Sequence, residues 1–113
     1  MSGEKTLKVS TDRIERLLKL VESSPDDPFP RYGLAMEYRN AGRLEEAATG
    51  FLELIERHPD YVATYLHCGL CLEEMDDEER AAEVYRSGVE AARKAENSRA
   101  LQELQAALSM IEE

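Results

Sequence analysis

The chain has 113 residues and a mass of 12.8 kDa, which suits one small domain with a modest core. Its 24 acidic and 14 basic side chains leave a formal charge of −10, and so argue against the clustered Lys and Arg that nucleic acids and anionic membrane surfaces require. Two cysteines, short apolar runs and no apolar stretch before a small-residue cleavage site in residues 1–10 argue against a disulfide scaffold, a bilayer span and a secretory leader, and point to the cytoplasm.

Residues 1–10 are polar and aperiodic, and a loose, flexible N-terminus is expected there. Asp12, with Glu15 three positions on, reads as a helix start. Ile14, Leu17, Leu18 and Val21 follow at helical spacing, Leu20 widens the stripe, and Ser23-Ser24-Pro25 ends it. Asp27 and Pro28 open a second helix, because Asp accepts from free N–H groups and Pro is tolerated in the first turn. It runs to about Asn40 and closes at Ala41-Gly42.

A third helix, Arg43 to Arg57, carries Leu44, Ala47, Ala48, Phe51, Leu54 and Ile55 on one face and stops at Pro59. Asp60 reads as the cap of a fourth helix reaching Glu74, and Asp76-Asp77 as the cap of a fifth. In the fifth, Ala81, Ala82, Tyr85 and Val89 point inward. Asn97-Ser98 breaks the chain once more, and the last helix has Leu101, Leu104, Leu108 and Ile111 on one stripe. About six helices with short loops and no credible strand predict an all-α protein, a right-handed solenoid of stacked antiparallel helix hairpins.

The strongest single signal is internal. Leu18-Lys19-Leu20-Val21-Glu22-Ser23-Ser24-Pro25-Asp26 is echoed 34 positions later by Leu52-Glu53-Leu54-Ile55-Glu56-Arg57-His58-Pro59-Asp60. A period of that length marks stacked helical hairpins, whose units bury surface only against their neighbours.

Leu34-Ala35-x2-Tyr38, then Ala47-x3-Phe51, then Pro59 resembles the tetratricopeptide repeat. Tyr65-x2-Cys68-Gly69-x2-Leu72, then Ala81-x3-Tyr85, resembles a second copy. Arg31 stands where the family has a bulky aromatic, Gly88 where it has Ala, and Arg93 where it has the closing Pro. Leu101-x2-Leu104-Gln105-x2-Leu108 fits the first helix of a third copy with about two residues inserted, Gln105 replacing a small residue. The resemblance implies one domain over 11–113. It comprises a half-repeat helix (11–24), two repeats (26–59 and 60–95) and a capping helix (97–113) with Arg99, Glu103 and Glu112 on its polar face.

Such arrays usually hold partners along the concave face lined by the first helix of each hairpin. By register this face carries Phe29, Tyr32, Met36, Arg39 and Asn40 from the first repeat. The second repeat adds Ala63, Leu66, Leu70, Glu73 and Glu74, and the last helix Gln102, Ala106 and Met110. The expected function is therefore a non-catalytic adaptor or scaffold that binds one apolar or amphipathic segment of a partner protein, with the mixed rim of Arg39, Glu73 and Glu74 favouring a basic or amphipathic helix. The Lys and Asn that family members use to clamp acidic chaperone tails are replaced by Tyr32, Met36, Leu66 and Leu70, which argues against a carboxylate ligand. The alternatives are a homodimer that buries the same groove, internal burial of it, and a thiol or metal protein.

That last alternative rests on Cys68-Gly69-Leu70-Cys71, preceded by His67. The pair sits mid-helix, has no second half-motif, and puts Cys68 at the Leu position of the repeat, so a core role is expected with no metal and no cofactor. The acid run Glu73, Glu74, Asp76, Asp77, Glu78 and Glu79 lacks the spacing and the central Gly of a calcium loop; it serves a helix start, relieved by Arg80 and Arg86. His58 reads as a solvated helix-end residue, and no catalytic grouping is evident, so no enzyme activity is expected. The acidity itself suits solubility, a salt-rich habitat or the steering of a basic partner.

Overall fold

A computed structural model describes residues 2–113 of the chain, with side chains from Thr11 onward. Among the described residues six helices follow one another: α1 (Ser2–Ser23), α2 (Pro28–Asn40), α3 (Leu44–Arg57), α4 (Ala63–Glu74), α5 (Glu78–Lys94) and α6 (Ser98–Glu112). Each packs on the next, and α2, α4 and α6 also meet in one row. The result is the right-handed helical solenoid expected from the sequence.

The helix boundaries come from caps and turns. Asp27 accepts a hydrogen bond from the Phe29 amide at 3.0 Å, and Pro28 takes the first helical position. Asp77 and Asn97 cap α5 and α6 by accepting from the amides of Arg80 and Ala100 at 3.1 Å each. Three helix ends close by one hydrogen-bond pattern. At the first, Gly42 N–H donates to Arg39 and Arg43 N–H to Tyr38; Asp76 and Asp77 repeat this with Glu73 and Leu72, and Glu96 and Asn97 with Arg93 and Ala92. The residue at the bend has φ of +79° at Gly42, +60° at Asp76 and +55° at Glu96, so two side chains occupy a left-handed position that glycine fills without strain.

Two expectations about helix starts are corrected. Asp12 lies inside α1, which already runs from Ser2, and the loose stretch expected at residues 1–10 falls on Met1 and on side chains that lie outside the described residues. Asp60 does not cap α4, which starts at Ala63 after a turn in which the Tyr61 amide donates to the His58 carbonyl. Tyr61, in that turn, stacks on Tyr32 with ring centroids 5.6 Å apart.

The core lies where the helices of each hairpin meet. Ala47, Ala48, Phe51 and Leu54 on α3, and Ala81, Ala82, Tyr85 and Val89 on α5, are buried as the pattern predicts. Among the described side chains of α1 only Ile14 is buried, while Leu18 and Leu20 are 42% and 51% exposed. The Tyr85 ring occupies the space a side chain at Gly69 would need: a Cβ there would stand 2.1 Å from Cε1. Gly88 is closed in the same way, with a Cβ falling 2.6 Å from Tyr65 Cβ and 2.9 Å from Leu104 Cδ2, which explains why it is smaller than the usual Ala.

Arg31, the departure from the aromatic opening position, has an equally direct reason. Its Nε donates to the Pro25 carbonyl at 3.0 Å. In the second repeat the Tyr65 hydroxyl donates to the Pro59 carbonyl at 2.5 Å. Both donors and both acceptors are related by the 34-residue period, so two different side chains fasten the same inter-repeat turn.

Replacing Gly69 with Ala drives a methyl into the Tyr85 ring and is expected to lower unfolding free energy by about 1–3 kcal/mol. Glu96→Gly relieves the left-handed bend and is expected to raise it by about 0.5–1 kcal/mol. Urea denaturation followed by circular dichroism checks both signs.

Candidate functional site

The residues that the repeat register assigns to the concave face lie on α2, α4 and α6. At one end, Phe29 stands 69% exposed and, with Pro28, His58, Asp60 and Tyr61, borders an open, shallow depression of 340 Å³. Next to it Tyr32 is half-buried and anchors an aromatic group. Its ring lies 6.3 Å from Phe51, 5.6 Å from Tyr61 in a stack, and 5.8 Å from His67 edge-on. Burial, reinforced by the neighbouring Tyr61, raises the Tyr32 hydroxyl above the usual phenol range.

Met36 and Leu66 lie partly buried against the core, and Leu70 is half-buried. Asn40 and Ala63 are exposed. A second cleft of 210 Å³ opens between α4 and α6, with Ala63, Leu66 and His67 on one wall and Ala100 and Glu103 on the other. Beyond it Gln102 and Ala106 face solvent, and Met110 is 72% exposed.

The charged rim is used internally. Arg39 Nε donates to Glu74 Oε1 at 2.7 Å, and a second nitrogen of the same guanidinium closes on that oxygen. Arg39 Nη1 also lies 3.5 Å from His67 Nδ1. Glu73 turns from the row to accept the Tyr85 hydroxyl at 2.5 Å. Burial, followed by this carboxylate, holds the Tyr85 phenol far above its ordinary range. Arg39, Glu73 and Glu74 therefore tie α2, α4 and α5 together. Arg86, expected to relieve the acid run, instead pairs with Glu112 of α6 at 2.9 Å, leaving Arg80 on Asp77 at 2.6 Å.

Two residues packed on Tyr32 were missed in the sequence, Tyr61 of the turn before α4 and His67 of α4. Tyr61 carries no register signal, because Asp27 stands at the equivalent place in the first repeat. His67 was legible: it falls four residues after Ala63 and three before Leu70, hence on their helix face.

Cys68 and Cys71 are free and wholly buried. Burial, with Cys71 adding to it, pushes the Cys68 thiol up to about 12. The Cys71 thiol, also raised by burial, donates to the Leu44 carbonyl at 3.4 Å. Both favour the inert protonated form, which suits a core position. Among the described residues no three His, Cys, Asp or Glu side chains gather as metal ligands, and no helix is long and apolar enough to cross a membrane.

No family model and no curated protein matches the chain. Solved structures do. The crystal structure of a tetratricopeptide repeat domain protein from Salinibacter ruber is 41% identical, with a TM-score of 0.72 over 76% of this chain and 96% of that one. Its solution structure gives 40% identity and a TM-score of 0.74 over 79% and 90%. The TPR2B domain of yeast Sti1, solved in complex with pHsp70, is 14% identical with a TM-score of 0.82 over 96% of this chain and 89% of that one. The chain belongs to the tetratricopeptide repeat family.

His67 supplies a pH test of the row. Desolvation first, then Arg39, lowers its pKa below the ordinary 6.5, against a smaller opposing pull from Glu103. The unfolded chain therefore takes up the proton first as pH falls. The stability held by neutral His67 is full above about pH 6.5 and is lost as pH falls through the lowered folded value. The urea midpoint of the wild type is expected to drop between pH 7 and pH 5 by more than that of His67→Gln.

Proposed function

We propose that this chain is a non-catalytic protein-binding module whose α2, α4 and α6 row receives an apolar segment of a partner protein. The observation that carries the reading is Phe29: a large apolar side chain, 69% exposed, at the mouth of a row that continues through Tyr32, Met36, Leu66 and Leu70. Arg39, Asn40, Ala63 and Glu74 complete the face, with Arg39 and Glu74 holding its helices in register, while Glu73 is turned to the Tyr85 hydroxyl. The preformed hairpins lower the ordering cost of binding. Burying one such anchor contributes about 1.5–3 kcal/mol before ordering costs, so several together approach micromolar affinity, about −8 kcal/mol, and no tighter.

The complex of the Sti1 domain with pHsp70 supports peptide capture as a use of this fold. The internal pairing of Arg39 with Glu74 moves the favoured occupant from a basic helix to an apolar one. Free buried cysteines suit a cytoplasmic adaptor, where thiols stay reduced.

The test uses Phe29→Asp and Leu70→Asp, singly and together, since neither side chain is fully buried. Fluorescence anisotropy against a panel of leucine-rich helical peptides is expected to show binding near about 10 μM for the wild type and at least about tenfold weaker binding for the double variant, with helical circular dichroism unchanged. A wild type that binds none of them and scatters light as a dimer, which the double variant splits, replaces this reading with a self-interface.

A further inference from the structure

Leu34 and Tyr38 of the first repeat are half-buried, whereas their counterparts 34 positions on, Cys68 and Leu72, are fully buried. Gly50 stands where the second repeat has the buried Val84. A shallow, open cleft of 420 Å³ lies over Leu34, Tyr38 and Gly50, where a Cβ on Gly50 would meet the Ala35 methyl at 3.3 Å, and a narrower recess leads on past Ala35 to Val21. Leu34 and Tyr38 leave α2 on the side opposite Phe29 and Met36. The same hairpin thus has a second apolar opening, closed in its twin.

The rim of this cleft is acidic. Glu46 is neutralised by Arg43 at 2.6 Å, and that guanidinium lies 4.7 Å over the Tyr38 ring. Arg31, at the far end, donates to the Pro25 carbonyl. Glu45 and Glu53 are exposed and have no ion-pair partner among the described residues. They lie eight positions apart on α3, about 12 Å along the helix, with Thr49 between them. Two unpaired carboxylates on either side of an apolar floor complement a segment with the opposite arrangement. Lysines or arginines seven apart on a helix stand about 10–11 Å apart and leave a residue midway to enter the floor.

We propose that the cleft between α2 and α3 is a second docking site, taking a basic helical segment of a partner protein with one apolar anchor over Gly50 and cationic side chains on Glu45 and Glu53. The site is independent of the row that carries Phe29, and the two differ in chemistry: an apolar occupant there, a cationic one here.

The experiment is an amide-resolved NMR titration of the full chain with a helical alanine-based peptide of about 14 residues, carrying lysines seven apart and one leucine midway. Saturable shifts are expected at Leu34, Tyr38, Thr49 and Gly50, with Tyr32, Leu66 and Leu70 unmoved. Glu45→Gln with Glu53→Gln is expected to weaken binding about fivefold or more, as is exchange of both lysines for glutamine, while Phe29→Asp leaves it unchanged. Shifts confined to the α2, α4 and α6 row, no saturable shift, or equal binding by the double variant each overturn the proposal. The Phe29 variant separates this outcome from the fate of the other reading.

Discussion

The ring of Tyr85 lies against the bare backbone of Gly69, and the rest of the second hairpin is arranged around that contact. A Cβ at Gly69 would stand 2.1 Å from the ring, so α4 and α5 can approach this closely only where the chain has no side chain. The approach seals Cys68 and Leu72 from water and brings the Tyr85 hydroxyl to Glu73. It also places Tyr65 against Gly88, where Leu104 of α6 closes in from the next unit. Small residues are thus what lets one unit hand its packing to the next.

The fold was legible because the period repeats its physical reasons. Pro25 and Pro59 stop helices, Ala47 and Ala81 admit a neighbouring helix, and Phe51 and Tyr85 fill the space between. The departures were legible only in space. Arg31 looks like a defect in the pattern until its Nε is seen on the carbonyl that Tyr65 reaches in the other copy. Asp60 looks like a cap, but α4 starts at Ala63, after a turn in which Tyr61 stacks on Tyr32.

The candidate faces were read less well than the fold. Register assigned Arg39, Glu73 and Glu74 to a face that meets a partner, yet these charges serve α2, α4 and α5 themselves. Register is blind to such use, because it says which way a residue leaves its helix and nothing about which neighbour reaches it first. Gly50 was silent for the opposite reason: a glycine in a helix gives no pattern, and its meaning appears only in space, where a Cβ would stand 3.3 Å from the Ala35 methyl.

Packing between successive helices has a kinetic side. Each helix touches mainly the one before and the one after, and the molecule measures 41 × 31 × 21 Å. Few contacts therefore need distant parts of the chain to find each other, which places such a protein among the fast folders, on the microsecond to millisecond scale. The same geometry makes opening graded. α1 and α6 can detach from the ends while the Gly69 and Tyr85 hairpin stays closed, so amide protons at the two ends should exchange through partial openings and those at the centre only through global unfolding.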